Sequence, residues 1–172
     1  MVEGKRLISR RSAAKSAAVA LGGALLSAEL AAQDANATLR SELLMDVVFD
    51  VATPHNLGTR MIVPVTGGTF TGPKLKGTAF GNGGDWITRR PDGASLLNVR
   101  ATLKTDDEQL IYMTYDGIMY TPPGGKPTDM YWRTTPRFET ASAKYEWITR
   151  IVCVGIGVPT PGKAAYRVFQ IL

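Results

Sequence analysis

Cysteine and histidine are almost missing from this chain. Among its 172 residues, Cys153 is the one cysteine and His55 the one histidine. A lone cysteine excludes an intrachain disulfide, and its apolar setting in RIVCVGIG marks a buried, inert thiol. A lone histidine leaves almost no material for a His-based metal centre or a serine triad, and His55 reads as a loop residue. No His/Cys/Asp/Glu cluster has metal-ligand spacing, and the GxxxxGK[ST] phosphate loop is missing. Neither a metal nor a cofactor is therefore expected. Runs of one charge sign are also missing beyond the first residues, which weighs against a nucleic-acid partner despite a net charge of +5.

A long hydrophobic run is absent as well. The small apolar stretch Ser16 to Ala28 is too short for a conventional transmembrane helix, and Gly22-Gly23 weaken it further. It follows the basic segment Lys5 to Lys15 and precedes the small-residue exit Ala35-Asn36-Ala37, the order of a secretory signal. Ser9-Arg10-Arg11 with Lys15 resembles the twin-arginine export signal, although Ala13 and Ala14 replace the usual bulky residues. Cleavage after Ala37 is expected. That gives a signal over 1–37, a single domain over 38–172, and a periplasmic or secreted product with no stable membrane insertion. The absence of disulfides suits that route, whose substrates fold before crossing. Five of the 20 Lys and Arg and three of the 15 Asp and Glu precede residue 38, which leaves 15 against 12 and a net charge of +3.

Helical periodicity is lacking in the rest of the chain. Short strand candidates follow one another instead, separated by Gly, Pro, Asp and Asn. They include Ser41–Val51, Thr59–Val65, Gly68–Phe80, Asp85–Arg90, Ser95–Thr105, Leu110–Tyr120, Met130–Thr140, Tyr145–Val158 and Ala164–Leu172. Such spacing predicts an all-β fold, a compact antiparallel barrel of about eight strands. Period-2 alternation groups Leu97, Val99, Ala101 and Leu103 on one face, and Ile111, Met113 and Tyr115 on one face of the next strand. It also groups Tyr145, Trp147, Thr149, Ile151 and Cys153. The segment GNGGDW, from Gly81 to Trp86, fits a tight turn before a strand whose tryptophan plugs the core. It also fits a loop that lets backbone approach a ligand, with Asp85 and Trp86 beside it.

What the chain does have is a set of arginines, aromatics and carboxylates: Asp85, Arg89, Arg100, Tyr112, Tyr115, Asp116, Tyr131, Arg133, Glu139 and Tyr145. Arginine can fork onto a carboxylate, aromatic rings can stack on a ligand, and Asp or Tyr can move a proton. The same set suits an aromatic small molecule or a barrel bearing surface ion pairs.

Four stretches in order sharpen this: GGTFTGPKLKGTAFGNGGDW, RPDGASLLNVRATLKTDDEQLIY, YWRTTPRFET and YEWITRIVCVGIG. Together they resemble the bacterial and fungal family catalogued as domain of unknown function 3237, across residues 42–172. The resemblance implies a compact antiparallel barrel. Some members are associated with cofactor-independent decarboxylation of lignin-derived phenylcoumaran acids. It also places Asp85, Trp86, Arg100, Arg133, Glu139, Tyr145 and Trp147 at family motif positions, and makes the GGDW loop a pocket border. The chain departs at Asn98, where relatives often carry an acid, and at Thr149, where they often carry Asn.

The expectation is then a cofactor-free lyase that releases carbon dioxide or formaldehyde from a phenolic, lignin-derived aromatic compound. Asp85 or Tyr145 would serve as base, Arg133 or Arg100 as carboxylate clamp, and Trp86, Tyr131 and Trp147 as walls, with Glu139 also in the substrate site. The rival is a non-catalytic periplasmic barrel that binds a hydrophobic small molecule. A third reading is a homo-oligomer assembled through an exposed aromatic face.

Overall fold

Alternating apolar and polar residues with frequent β-branched side chains build strands whose inner face must be covered, and closing the sheet on itself does so without leaving edges. The computed structural model describes residues 38–172. The export signal expected over residues 1–37 lies outside them. The strands are β1 (Ser41–Val51), β2 (His55–Asn56), β3 (Arg60–Thr71), β4 (Lys76–Ala79), β5 (Gly83–Arg89), β6 (Ser95–Thr105), β7 (Leu110–Tyr120), β8 (Tyr131–Glu139), β9 (Cys153–Thr160) and β10 (Lys163–Ile171). No α-helix occurs among the described residues.

Neighbouring strands run β1-β10-β9-β8-β7-β6, and β6 pairs with both β4 and β5. Those two short strands lie end to end along β3 and act as one stave. Since β3 also pairs with β1, the sheet closes as an eight-stave antiparallel barrel. The two-residue β2 extends the hairpin into β3 and carries the exposed His55.

The inward faces follow the alternation in the sequence. Leu97, Val99, Ala101 and Leu103 of β6 are buried, as are Ile111, Met113 and Tyr115 of β7. They meet Met45, Val47 and Phe49 of β1, Phe70 of β3, Phe138 of β8, and Tyr166 and Val168 of β10. Full burial of one such side chain is worth about 1.5–3 kcal/mol.

Two local readings are corrected. Residues 145–158 do not form one strand. Glu146–Arg150 makes a 3-10 turn, and β9 begins at Cys153. Local bonds out-compete the ladder there: Ile148 N–H donates to Tyr145 O, Thr149 Oγ1 donates to Glu146 O, and Arg150 pairs with Glu146. This turn plugs one end of the barrel with Tyr145 and Ile148, while Trp147 and Ile151 pack against the core beside them. The second correction concerns GNGGDW. The expected turn is there, at Gly81-Asn82, but it forms a bulge inside the β4–β5 stave, which pairs with β3 as Ala79↔Gly68 before it and Gly83↔Val65 after it. Three residues on this stave there face two on β3. Trp86 points out of the barrel, where Arg100 covers its ring, and does not plug the core.

Candidate functional site

The end opposite the plug is where the barrel opens. Here the inward residues of seven strands, all the staves but β9, enclose a cavity of about 150 Å³. That is about the size at which an apolar protein cavity takes in a single benzene ring. Its wall is apolar: Phe49, Val51, Val63, Val65, Ile87, Leu97, Val99 and Met119, with Ala164. Four groups break that pattern, namely Asp85, Tyr115, Trp132 and Tyr166, and Lys163 stands with them at the start of β10. Lys163 forms an ion pair with Asp50 of β1.

Asp85 reaches this cavity because of the glycines before it. A Cβ on Gly83 would overlap the carbonyl oxygen of Arg100 in β6, so only glycine lets the two strands come together after the bulge. Alternation then turns Asp85 and Ile87 inward and Trp86 outward. The β5–β6 ladder is interrupted between Asp85↔Val99 and Thr88↔Leu96. In that gap Asn98 N–H donates to Asp85 Oδ1 at 3.0 Å. One backbone donor does not offset removal from water. Burial carries the carboxyl from 3.8 up to about 7, with the Asn98 N–H pulling the other way.

The aromatic groups are locked by packing. The rings of Tyr115 and Tyr166 meet edge-on at 5.3 Å, and those of Trp132 and Tyr166 at 4.9 Å. The Trp132 indole occupies space that Gly157 of β9 leaves open, since a Cβ there would run into the ring. Burial holds both tyrosines in the neutral phenol form, and the nearby Asp85 charge adds to that effect.

Of the eight site residues expected from the sequence, only Asp85 lines this cavity. Arg100 lies on the outer face, stacked 5.3 Å from the Trp86 ring and donating to Asn98 Oδ1 at 2.8 Å. Arg133 is also outside, 5.0 Å from the half-exposed Tyr131 ring, with Nη1 donating to Trp132 O at 3.0 Å. Glu139 ends β8, exposed. Tyr145 is buried at the plugged end, where its hydroxyl donates to Asp107 Oδ1 at 2.9 Å. Trp147 is there too, with Lys74 Nζ 5.5 Å from its ring. The structure therefore brings together Trp86 with Arg100 and Tyr131 with Arg133, each pair on the outside, and neither pair reaches Asp85 through the wall.

Trp132, Tyr166 and Lys163 were not singled out. A signal for two of them existed. In AAYRVFQIL the face carrying Arg167 must be the wet one, which turns Tyr166 and Val168 inward. In YWR the two flanking polar-tipped residues leave Trp132 as the inward one. Among the described residues no three His, Cys, Asp or Glu side chains converge as a metal-binding group.

Fold and cavity together define a small closed β-barrel whose interior holds one buried acid among aromatic hydroxyls. The chain belongs to the family described as protein of unknown function (DUF3237), which matches residues 36–171. It is 30% identical over 135 residues to a UPF0311 protein of Rhodopseudomonas palustris, covering 72% of this chain and 88% of that one. A crystal structure of a beta-barrel like protein from Acinetobacter baumannii superposes with a TM-score of 0.74 at 31% identity, covering 79% of this chain and 98% of that one. A crystal structure of an enzyme from Penicillium herquei matches with a TM-score of 0.62 at 22% identity over 79% of this chain and 96% of that one, a likeness of fold.

Proposed function

We propose that this barrel is a cofactor-independent lyase that takes one phenolic ring of an aromatic acid into its open end, with Asp85 as the proton-transfer group. The observation that carries the reading is a single carboxyl, poised at about 7, on the wall of an otherwise apolar one-ring cavity. Such a group is matched to acid–base work near neutral pH. As a carboxylate, Asp85 removes the phenol proton. The phenolate then pushes its electron pair through the ring and breaks a benzylic carbon–oxygen bond para to it, giving a quinone methide and an alkoxide or aryloxide. Loss of carbon dioxide from the adjacent carbon returns its bonding pair to form the alkene and restore the phenolate. The proton on Asp85 then returns to the phenolate oxygen, and solvent protonates the expelled oxygen.

The cationic clamp falls to Lys163 and not to Arg100 or Arg133, which stand outside the wall. Asp50 holds Lys163 there, where it would face a substrate carboxylate left outside the one-ring cavity. This chemistry asks of the protein a base, a fixed cation and exclusion of water from the ring. The fold likeness to an enzyme fits it.

The test is turnover by residues 38–172, with phenolic acids and lignin-type dimers as substrates and products read by mass spectrometry. A product lighter by carbon dioxide is expected, with kcat reduced at least about 100-fold in Asp85→Asn. Undiminished turnover by Asp85→Asn would remove the base assignment. Saturable binding with every compound returned intact would make the protein the binding barrel instead.

A further inference from the structure

The inner end of the cavity carries three hydrogen-bond donors beside the Asp85 carboxyl, and one of them is unmet. Tyr115 and Tyr166 each carry an O–H, and Trp132 an N–H, and all three line the same apolar space as Asp85. The Trp132 Nε1 is buried and has no hydrogen-bond partner. The two tyrosine hydroxyls stand side by side, next to the indole. They approach each other with Tyr115 as donor, and Trp132 Nε1 approaches Tyr166, both contacts favouring negative charge on the Tyr166 oxygen. Buried tyrosine and tryptophan tips normally find a partner, since an unmet buried donor costs about 1–3 kcal/mol. These donors are also held rigidly, through the edge-on ring contacts at 4.9 Å and 5.3 Å and the indole seated over Gly157. The rigidly held Trp132 N–H lacks one component, an acceptor oxygen that a ligand can carry in.

We propose that the Tyr166 O–H and the Trp132 Nε1–H together bind the oxygen of a phenol that enters the barrel ring-first, with Tyr115 as a positioning residue behind Tyr166. This deepens the reading given above for Asp85 and rests on the same cavity. It fixes the orientation of the ligand: phenol oxygen innermost, ring against Leu97, Val99 and Ile87, and the remaining substituent toward Lys163. It also defines the ligand class. A ring lacking the oxygen leaves the Trp132 N–H unmet, and a fused ring system exceeds the volume.

The probe is 4-fluorophenol, compared with fluorobenzene, which differs only by the hydroxyl. Binding is followed by fluorine-19 NMR, whose shift also reports ionisation of the phenol. Tyr166→Phe keeps the ring, so it tests the hydroxyl alone. Affinity for 4-fluorophenol is expected to fall at least about tenfold in Tyr166→Phe, with Trp132→Phe weakened in the same direction. Fluorobenzene affinity should stay within about twofold in both. Tyr115→Phe should raise the apparent pKa of bound 4-fluorophenol, which a purely packing role would not do. Equal losses for the two probes, or no loss for either, would overturn the proposal. So would failure of the unaltered protein to prefer 4-fluorophenol. None of these readouts needs turnover. Active Asp85→Asn would therefore refute the base assignment while leaving this donor site standing, and an unselective Tyr166→Phe would do the reverse.

Discussion

Asp85 has opposite effects on rate and on stability, and pH separates them. Its folded pKa, about 7, lies above the ordinary 3.8 because burial penalises the charge. Between those values the folded chain holds a proton that the unfolded chain has lost, so stability falls as pH rises through this window. Once ionised, the buried carboxyl costs the fold up to about 4 kcal/mol. Asp85→Asn cannot ionise. Urea unfolding should therefore show the variant gaining on the parent as pH goes from 4 to 8, with the difference levelling off above about 7. Catalysis by the carboxylate should follow the other sign, with kcat/KM rising through the same pKa. A pH-independent stability difference would mean that the Asp85 carboxyl is not desolvated. At this scale the sequence was half legible. Asp85 could be picked out as a family motif position, whereas Arg100 and Arg133 could not be sorted from it. In a strand, adjacent residues point to opposite sides of the wall, so membership of one motif does not mean membership of one site.

The bulge in the β4–β5 stave is what delivers that carboxyl. Without it, register would run unbroken from Ala79 to Asp85. With it, β5 sits against β6 closely enough that Gly83 has no room for a side chain beside the Arg100 carbonyl. Gly83→Ala must push two backbones apart, which is expected to cost about 1–3 kcal/mol, read as a lower urea midpoint. It should also weaken 4-fluorophenol binding, because Asp85 moves with its strand. An unchanged midpoint and affinity would show that the bulge accepts a methyl group and does not set the position of Asp85. The two element-level errors share one cause. Period-2 patterning identified β6 and β7 because their inward residues are uniformly apolar. It missed the bulge and the 3-10 turn because each rests on local bonds and backbone fit that hydropathy does not encode. Glu146, Thr149 and Arg150 bond within one turn, and that turn is held from outside by the Tyr145 bond to Asp107, which Lys144 also pairs with.

Across the whole barrel, stability and chemistry occupy different ends. The plugged end is filled by Met45, Phe70, Leu103, Ile111, Met113 and Val168 around Ile148, each almost wholly buried. The open end holds the cavity, the ionisable carboxyl and the unmatched Trp132 N–H. Sequence alternation predicted the closed barrel but could not assign its ends. That assignment depends on which loops plug and which leave a gap, and the plug was read as strand. Ile148 lines no part of the cavity, so its truncation and the loss of the Asp85 charge act on separate contacts. Ile148→Ala should cost about 2–5 kcal/mol of stability and leave 4-fluorophenol affinity within about twofold wherever the protein remains folded. Combined with Asp85→Asn, the two changes should add to within about 0.5 kcal/mol. Urea unfolding of the four proteins at pH 8 measures the coupling directly. A coupling above about 1 kcal/mol, or a ligand site lost with Ile148 in a chain that is still folded, would mean that the plug shapes the cavity through the shared core and that the two ends are one unit.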